Sequence, residues 1–302
     1  MAEFTIVIPT YNNKAQLALC LNSIVQFILQ DFRAIVCDDG SKDGTVEFLN
    51  DFISKHPQFE LVEYPDKQNR GRSFNRNQAI PFIKTPFVLF LDSDAVLKSD
   101  ILAEHAKILE TNLNVVSLGG MFYTNTNTSN WAAYLSKRGT RKFDHLESIN
   151  YKYLNSGNFA MQTSQFVHLG GFDENFFVYG GEDMEFGFRI EKEYHPEFIV
   201  NTKASAYAKM DKTLDKALEQ YQDFGRINLR YIIEKHPECD NIFHAGLFFD
   251  NNLKAKLFRF LLNDQLGKVF RSVLDFCPEF LKVKLTSYLV ALSIKKGVLA
   301  AE

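Results

Sequence analysis

The chain has 302 residues, of which 24% are charged and 46% hydrophobic, and its formal net charge is −3. This composition is typical of a globular protein, and the length allows one large domain or two modest ones. The small negative charge gives no reason to expect nucleic acid as the main partner. Phenylalanine is abundant, with 29 residues, which predicts aromatic-rich packing or an aromatic-lined cleft.

Two features of the sequence bear on the cellular compartment. The cysteines lack C-x-x-C spacing, so we expect core thiols in a reducing compartment rather than a disulfide framework or a zinc cluster. They are Cys20, Cys37, Cys239 and Cys277. The chain passes from Met1–Glu3 directly into a strand-like run, without a basic leader or a long apolar stretch. We therefore expect no signal peptide, no membrane anchor and a cytoplasmic location.

The first third of the chain alternates short apolar runs with segments of helical periodicity. Strands are predicted at Phe4–Pro9, Phe32–Cys37, Phe59–Tyr64 and the apolar start of Phe87–Val96. Helices are predicted at Lys14–Phe27, Lys42–Lys55 (chiefly residues 44–53) and Ser73–Ile83. This alternation indicates an α/β fold with a parallel sheet and right-handed crossovers.

The segment Phe87–Val96, FVLFLDSDAV, ends in two carboxylates one residue apart. Five apolar residues in a row are typical of a strand buried on both faces, and ligands of open α/β sheets bind at the carboxyl ends of strands. Asp92 and Asp94 are thus candidates to hold a hard cation and, through it, a diphosphate. A solvated turn in which the aspartates bond backbone amides remains the alternative.

The other strand ends carry related side chains, namely Tyr11 and Asn12 after the first strand and Asp39 after the second. Neither G-x-G-x-x-G nor G-x-x-x-x-G-K-[ST] is present, which argues against a dinucleotide-binding domain or a P-loop. An aromatic ring beside carboxylates suits a nucleoside, because the ring stacks on a base and a carboxylate accepts from base or ribose. Tyr11 capping the sheet and Asp39 capping the next helix are the alternatives.

Four segments, IPTYNN, VCDDGSKDGT, NRGRSFNRNQAI and LFLDSDA, occur in this order along the chain. Together they resemble the family-two inverting glycosyltransferases, which use nucleotide sugars, over roughly the first two-thirds of the sequence. The resemblance implies a GT-A-like fold, with a Rossmann-like, mostly parallel sheet flanked by helices. It covers most of a predicted catalytic domain of residues 1–210.

The resemblance also implies roles for individual residues. Tyr11 and Asp39 would contact the base, Asp92 the ribose or sugar, and Asp94 the metal bound to the diphosphate. Arg76 would approach the diphosphate or sugar, although an arginine that holds the loops by salt bridges is the competing interpretation. The predicted donor-binding residues are Pro9, Tyr11, Asn12, Asp39, Asn69, Arg76, Asp92 and Ser93.

A second group of candidate catalytic and binding residues lies within Asn155–Ile190, where Gly180-Gly181 precede Glu182-Asp183 at the start of a predicted helix. Acidic residues also stabilise a helix N-terminus, so a capping role stays open for Glu182. Inverting sugar transfer needs one carboxylate that removes the proton of the acceptor hydroxyl. A Gly-Gly turn can present such a carboxylate at a cleft.

The same segment is similar to the GGFDE and GGED region of chondroitin-polymerase-like and galactosyltransferase-like relatives. This similarity implies that Asp183 is the catalytic base and that Glu182 contacts the acceptor sugar, with Glu182 as the alternative base. The predicted sugar pocket consists of Asn155, Gly157, Asn158 and Gly181.

The sequence departs from the family pattern at the metal site. Many relatives carry a His about two dozen residues beyond the acidic pair, whereas the comparable stretch here, Lys203–Met210, has none. His195 lies nearby but precedes Pro196 and is predicted to be a turn residue. The expected cofactor is Mn²⁺ or Mg²⁺ held by Asp94, with the third protein ligand unidentified.

Between these two groups, a helix is predicted at Asp100–Glu110 and a strand at Val115–Phe122. Ser136–Lys142 then concentrates four cations around Gly139. This segment is either a mobile lid that attracts a diphosphate or an anionic acceptor, or a solvated loop, which is the more common role of a short charge run.

From Thr213 onward the periodicity is helical, which predicts a helical C-terminal extension of residues 211–302. Residues 252–302 contain nine Lys or Arg and four Asp or Glu, a net charge of +5, against −8 for the remainder. A basic face beside a Leu/Phe face suits docking on anionic lipid, packing against the catalytic domain, or a second subunit in a homo-oligomer. Packing is the more common outcome.

These features together predict an inverting glycosyltransferase that moves a sugar from a UDP-sugar to a hydroxyl of a glycan or lipid-linked acceptor. Such an enzyme would work in surface polysaccharide synthesis, in the cytoplasm or at the inner face of the membrane. A nucleotidyltransferase would need a Gly-rich basic loop after the first strand, and Pro9–Asn13 provides neither feature. A non-catalytic nucleotide-sugar or glycan-binding module is the remaining alternative.

Overall fold

A computed structural model describes residues 3–64, 66–112 and 114–301. The chain forms two compact units. The first unit comprises the residues through Phe122, Gly139–Phe177 and Glu182–Lys209, and the second comprises Tyr123–Arg138, Val178–Gly181 and the residues from Met210 onward. The functional division at residue 210 stays a prediction.

The described residues contain nine strands that form one sheet. The strands are β1 (Phe4–Thr10), β2 (Phe32–Asp38), β3 (Phe59–Glu63), β4 (Phe87–Leu91), β5 (Val96–Leu97), β6 (Val115–Tyr123), β7 (Ser148–Ile149), β8 (Asn158–Gln162) and β9 (Glu197–Ala208). Their order is β3-β2-β1-β4-β8-β6-β9-β5, and β7 also pairs with β9.

The described residues also contain fourteen α-helices. They are α1 (Lys14–Phe27), α2 (Thr45–Lys55), α3 (Arg72–Asn77), α4 (Ile101–Leu109), α5 (Asn130–Ser136), α6 (Thr163–His168), α7 (Glu182–Tyr194), α8 (Leu214–Asp223), α9 (Leu229–Lys235), α10 (Asp240–Phe243), α11 (Gly246–Phe249), α12 (Leu253–Leu261), α13 (Asp264–Val273) and α14 (Glu279–Ala300). Short 3₁₀ helices occur at Ile80–Phe82, Gly139–Lys142, Tyr151–Tyr153, Pro237–Cys239 and Leu274–Phe276, and a π-helix at Phe224–Asn228.

The first four strands are parallel, as predicted, with β1 between β2 and β4 and with β3 on the far side of β2. The sheet is mixed beyond β4, because β8 pairs antiparallel with both β4 and β6. One predicted helix is wrong in extent, since Ser73–Ile83 is not continuous. It divides into α3 and the 3₁₀ turn Ile80–Phe82, because Pro81 cannot donate a helical hydrogen bond and disfavours helical geometry in the residue before it.

Apolar residues fill both faces of the sheet, because successive side chains of a strand point to opposite sides. In β1, Phe4, Ile6 and Ile8 belong to one buried cluster, and Val7 belongs to the other. All five residues of β4 are buried. Four of the 29 phenylalanines pack together around Phe90, whose ring lies 5.0 Å from Phe159, 4.8 Å from Phe166 and 5.3 Å from Phe172. These rings form a firm support beneath the carboxyl end of β4.

The second unit is helical and has its own core, built around Trp131, Leu214, Leu274 and Leu289. Two glycines allow a close helix contact within it. A Cβ atom at Gly297 of α14 would lie 1.9 Å from the carbonyl oxygen of Gln222, and a Cβ atom at Gly225 would lie 2.3 Å from that of Ile294.

Gly297→Ala is expected to lower the free energy of unfolding by about 2 to 3 kcal/mol, because the added methyl group meets backbone that cannot rotate away. Urea unfolding followed by Trp131 fluorescence measures this change, since Trp131 is the sole tryptophan and lies in the same core. Ser287→Ala is the matched control, because Ser287 is an exposed residue of the same helix. Equal stabilities of the two variants would contradict the prediction.

The four cysteines are thiols rather than members of disulfides, and Cys20, Cys37 and Cys239 are buried. Burial raises the pKa of the Cys20 and Cys37 thiols well above the usual range. Among the helices in the described parts of the chain, none combines the length and apolar character needed to cross a bilayer.

Candidate active site

The carboxyl ends of β1, β2 and β4 lie at one edge of the sheet because these strands are parallel and adjacent. The loops that follow β1 and β2 are joined by hydrogen bonds. Asn12 donates its backbone N–H to Ser41 Oγ (2.8 Å), and its Oδ1 accepts from Lys42 N (2.7 Å). The Asp39 N–H donates to the Thr10 carbonyl at 3.0 Å. This edge is therefore a connected set of loops around the predicted donor residues.

Asp39 is buried and holds the loop that precedes α3. Its Oδ1 accepts from Arg70 N and its Oδ2 from Gly71 N, both at 2.9 Å. Burial raises the pKa of Asp39, and these two hydrogen bonds oppose the rise. The structure does not support the capping alternative for Asp39, because its hydrogen bonds go to this loop and Gly44 occupies the position before α2. Contact between Asp39 and a base stays a prediction, as does that of its loop neighbour Asn69.

Tyr11 remains 44% exposed at the end of β1, so its ring is open to solvent. Pro9 lies within β1 opposite Cys37. Ser93 is buried, and its hydroxyl accepts a hydrogen bond from Asn13 Nδ2 at 3.1 Å. The donor-binding roles of Pro9, Tyr11, Asn12 and Ser93 stay predictions.

Arg76 is 2% exposed, and its Nη2 donates to Asp92 Oδ1 at 2.9 Å. Its guanidinium also lies over the Phe172 ring, 5.5 Å from the centroid. Nε and Nη1 have no hydrogen-bond partner among the described residues. The salt-bridge interpretation of Arg76 thus corresponds to an observed contact, and two of its nitrogens are buried without a hydrogen-bond partner among the described residues. A buried guanidinium with unsatisfied donors is costly unless a ligand or water completes its bonds.

Residues 155–158 form a turn directly beside Asp92. Gly157 accepts from Asp92 N at 3.1 Å, and a Cβ atom at Gly157 would lie 2.7 Å from Asp92 Oδ2. Asn155 Oδ1 accepts from Gly157 N at 2.7 Å, which closes the turn. Only glycine fits between the two side chains, so the turn and the Asp92 carboxylate are in close contact. The sugar-pocket roles of Asn155 and Gly157 stay predictions.

Glu182 and Asp183 are the first two residues of α7. Glu182 is buried and lies 3.4 Å from Arg72 Nη1. The residue Asp183 is partly exposed, but its Oδ1 atom is buried and has no hydrogen-bond partner within the described residues. The Ser156 hydroxyl donates to its carboxylate. Sequence reasoning did not identify Ser156, because a turn serine carries no distinctive signal, although it lies inside the NSGN segment already singled out.

Burial raises the pKa of Asp183 to about 7, and the neighbouring Glu182 charge contributes to the rise. The Arg76 charge and the Ser156 hydrogen bond act in the opposite direction. Arg76 therefore forms an ion pair with Asp92 and also lowers the pKa of Asp183. A carboxylate with a pKa near neutrality is suited to accept a proton during a reaction near pH 7.

Gly180 and Gly181, which directly precede α7 in the sequence, have φ values of +98° and +97°. Side chains other than glycine rarely adopt this backbone conformation. Both glycines belong to the second unit, and the sugar-pocket role of Gly181 stays a prediction.

A third acidic residue of α7, Glu185, is fully buried and has a structural partner. Arg189 Nε donates to both of its oxygens, at 2.9 and 3.0 Å. Arg189 also donates from Nη1 to Leu169 O and from Nη2 to Gly171 O. The Glu185–Arg189 pair therefore connects the GGFDE loop at residues 170–174 to α7. The sequence indicated only that these two residues lie four positions apart on a helix.

Asn158 has its side chain in the core below this turn. Its Nδ2 donates to Ala204 O (2.8 Å) and Gly120 O (3.2 Å), and its Oδ1 lies 3.1 Å from His105 Nε2. His105 Nδ1 is 2.8 Å from Ser117 Oγ. A sugar contact by Asn158 stays a prediction, while the structure shows its amide in this buried network. His105 was missed because a single histidine on an apolar helix face has no motif.

Burial lowers the pKa of His105 from 6.5 to about 4. The unfolded chain therefore binds a proton at this residue between about pH 6.5 and 4, while the folded protein does not, so the contribution of His105 to stability falls as the pH falls through this interval. His105→Gln is expected to reduce this acid-dependent loss. Urea unfolding of both proteins at pH 7 and pH 4.5 measures it, and an unchanged pH dependence would contradict the prediction.

The cationic segment Ser136–Lys142 is partly fixed in place. Thr140 is buried and donates to Gly119 O at 3.2 Å, and the Arg141 guanidinium lies 5.5 Å from the centroid of the Phe122 ring. Residues 139–142 therefore have defined contacts within the first unit. A lid function stays a prediction.

The resemblance implies a divalent cation, with Asp94 as its protein ligand. Across the parts of the chain that the structure describes, no group of three or more His, Cys, Asp or Glu side chains is placed to hold a metal. His195 adopts a φ of 46° in the turn between α7 and β9, as predicted for a turn residue. Asp94 is partly exposed near the end of β4. A carboxylate oxygen is a ligand that suits a hard cation, and the role of Asp94 as a metal ligand stays a prediction.

Comparison with known proteins identifies the family and the fold of this chain. A family model described as Glycosyl transferase family 2 matches residues 5–170, more than half of the chain. A second model, described as the N-terminal domain of galactosyltransferase, matches residues 139–213. The second match includes the turn at residues 155–158 and the acidic pair of α7.

Two curated relatives illustrate the sequence similarity. The uncharacterized glycosyltransferase YfnE of Bacillus subtilis is 36% identical over 116 residues, which cover 38% of this chain and 29% of that protein. The chondroitin synthase of Escherichia coli is 26% identical over 224 residues, which cover 63% of this chain and 32% of that protein. The chain thus spans about a third of the length of these relatives.

Solved structures show the same fold. The mannosyltransferase PcManGT from Pyrobaculum calidifontis, in complex with GDP-Man and Mn²⁺, has a TM-score of 0.67 at 17% identity and covers 97% of this chain and 86% of its own. Staphylococcus aureus TarS 1-349, in complex with UDP-GlcNAc, has a TM-score of 0.59 at 19% identity, with coverages of 99% and 90%. The predicted GT-A-like α/β fold with a helical C-terminal part is confirmed. On the strength of its family match, this chain belongs to glycosyl transferase family 2.

Proposed function

We propose that this chain catalyses the transfer of a sugar from a nucleotide-sugar donor, a UDP-sugar, to a hydroxyl group of a glycan or lipid-linked acceptor. The transfer inverts the configuration at the anomeric carbon. The observation that carries the proposal is the position of Asp183. Its carboxylate accepts a hydrogen bond from Ser156, which lies in the turn that contacts Asp92. The charge of Arg76, which pairs with Asp92, also lowers the pKa of Asp183.

In the proposed reaction, Asp183 accepts the proton of the acceptor hydroxyl as that oxygen forms a bond to the anomeric carbon. The bond between the anomeric carbon and the diphosphate oxygen breaks at the same time, and its electron pair leaves with the nucleoside diphosphate. Attack from the side opposite the leaving group produces inversion. A raised pKa supports this role, because it makes Asp183 a better proton acceptor than an ordinary surface aspartate.

The leaving-group end of the reaction involves Arg76, Asp92 and Asp94. The two unpartnered nitrogens of Arg76 are suited to donate hydrogen bonds to a diphosphate or sugar oxygen. A bound Mg²⁺ or Mn²⁺ would add positive charge at the leaving diphosphate, and Asp94 would hold it. Glu182, with Arg72 beside it, is the proposed contact to the acceptor sugar.

UDP with Mn²⁺ is expected to raise the melting temperature by about 5 °C at a concentration about one hundred times its Kd. A thermal-shift panel of nucleotides and nucleotide sugars, with and without Mn²⁺, measures the change. Asp94→Asn should keep the metal-independent part of the shift and lose the Mn²⁺-dependent part. No stabilisation by UDP or by any other nucleoside diphosphate would overturn the proposed donor class.

Slow hydrolysis of the donor separates an enzyme from a non-catalytic binding module. A transferase can pass the sugar to water when no acceptor is present, whereas a module that only binds the donor leaves it intact. Release of UDP from the UDP-sugar that gives the largest thermal shift is therefore the direct assay. Binding without any release would favour the module.

A further inference from the structure

Helix α12 in the second unit presents large apolar side chains to solvent. Leu253 is 82% exposed, Phe260 is 79% exposed, and Leu257 and Leu261 are each more than half exposed. Soluble proteins scatter single apolar residues over their surface but rarely concentrate them in this way. We call these four residues the α12 apolar face.

The orientation of α12 is fixed by the residues on its other side. Ala255 and Leu262 are buried, and Phe258 packs edge-on against Phe248 with ring centroids 5.6 Å apart. Arg259 turns back to the second unit, where it donates to the carbonyls of Leu247, Phe248 and Asp250. These contacts hold the opposite side of α12 against the second unit, and the α12 apolar face therefore points to solvent.

Cations border this face on both sides. Successive residues turn about 100° around a helix, so the four apolar residues fall within an arc of about 100°. On the same basis, Lys254 lies at one margin of that arc and Lys256 beyond the other, and both lysines are exposed. Apolar residues flanked by lysines are the arrangement of helices that lie in the plane of a membrane surface, with the lysines at the level of lipid phosphates.

Two further observations favour a negatively charged lipid surface as the occupant. Residues 252–302 carry a net charge of +5, whereas the rest of the chain carries −8. The segment that follows α13 exposes two more large rings, Phe276 at 88% and Phe280 at 67%. Anionic headgroups attract the cations, and the acyl region accepts the apolar side chains.

We propose that α12 docks the second unit onto an anionic lipid bilayer, with Leu253, Leu257, Phe260 and Leu261 inserted at the headgroup boundary and Lys254 and Lys256 bound to lipid phosphates. The contact is peripheral and reversible. It is independent of the proposed sugar transfer, so it can be tested without a donor or an acceptor.

Vesicle flotation tests the proposal with the full chain and two lipid mixtures, one of phosphatidylcholine alone and one of phosphatidylcholine with an equal amount of phosphatidylglycerol. The wild-type protein should float with the anionic vesicles at about 0.1 M salt, and binding should weaken at about 1 M salt because exposed charges are screened. Partitioning to the neutral vesicles should be at least about tenfold weaker.

Two double variants separate the apolar and electrostatic contributions. Leu257→Ser with Phe260→Ser should weaken partitioning to anionic vesicles by at least about tenfold. Lys254→Glu with Lys256→Glu should weaken it by about tenfold or more while leaving the weak neutral binding unchanged. All altered residues are exposed, so melting temperatures equal to wild type should confirm folding.

Matched controls lie in the first unit. Leu29→Ser removes an apolar residue that is 87% exposed, and Lys203→Glu reverses an exposed charge in β9. Both controls should bind vesicles like the wild type. Absence of flotation, or equal loss in the controls and the α12 variants, would overturn the proposal. A wild-type dimer in light scattering that the serine variant dissociates, without vesicle binding, would identify a second copy as the occupant and would also overturn it.

Discussion

Asp183→Asn is expected to lower the rate of sugar transfer by at least about a thousandfold, because the amide cannot accept the proton of the acceptor hydroxyl. The substitution preserves the size of the side chain, so binding of UDP in the thermal-shift assay should change little. Transfer is measured by UDP release in the presence of acceptor. Glu182→Gln is the matched comparison, and it should affect the acceptor KM more than kcat if Glu182 contacts the acceptor sugar.

The pH dependence provides an independent check on Asp183. The catalytic form is the ionised carboxylate, and its pKa in the free protein is about 7. Values of kcat/KM should therefore rise with pH up to about 7 and then level off. Transfer that survives Asp183→Asn in a folded protein would assign the proton acceptor elsewhere, with Glu182 as the alternative.

Asp183→Asn also has a predictable effect on stability. The folded pKa is raised from 3.8 to about 7, so the unfolded chain releases the proton more readily and the contribution of Asp183 to wild-type stability falls as pH rises through this interval. The asparagine variant should be more stable than the wild type above about pH 7 and similar near pH 4. His105 acts with the opposite sign over nearly the same interval, so the wild-type curve should be flatter than that of either variant.

Arg76→Met is the second substitution with a large expected effect. The methionine fills part of the volume of the arginine, but it leaves Asp92 without its partner and removes the guanidinium that lies over the Phe172 ring and carries the nitrogens proposed to contact the donor. We expect the free energy of unfolding to fall by about 2 to 3 kcal/mol, below the range for a fully buried pair because the Asp92 side chain is 39% exposed. Sugar transfer should fall by at least about a hundredfold.

Arg271→Met is the control for this prediction, because the Arg271–Asp215 pair is exposed and should contribute less than about 1 kcal/mol. Urea unfolding measures the stability of both variants, and UDP titration measures donor affinity. If Arg76→Met lost stability but bound UDP and transferred sugar normally, Arg76 would be a structural residue only.

The parallel half of the sheet could be predicted from sequence because each of its strands is a short apolar run that ends in polar residues. Strands β1 to β4 and helices α1 and α2 lie close to their predicted positions. The position of β8 between β4 and β6 was not predicted. Its pairings with these strands join segments that are far apart in the chain, and no local sequence pattern indicates such pairings. The two-residue strands β5 and β7 are too short to show a period.

In the candidate site, residues in sequence motifs could also be predicted, whereas contacts between distant segments could not. Asp92, Asp94, Glu182 and Asp183 stand in recognisable motifs, so their chemical type and spacing identified them. Ser156 did not, because only the folded chain brings it to Asp183. The unpartnered nitrogens of Arg76 likewise became visible only once its burial and its contact with Asp92 were known.

The turn at residues 155–158 has a further consequence for the reaction. The Ser156 hydroxyl donates to the Asp183 carboxylate, and the carbonyl of the adjacent Gly157 accepts from the backbone N–H of Asp92. Two consecutive residues of this turn therefore contact the residue proposed to receive the proton and the residue proposed to contact the donor. Consecutive Cα atoms are about 3.8 Å apart whatever the surrounding fold does. The fixed spacing of these two adjacent residues thus limits the distance between Asp183 and Asp92. Shifts of the surrounding helices should alter the spacing of these two carboxylates less than a change in the length of this turn.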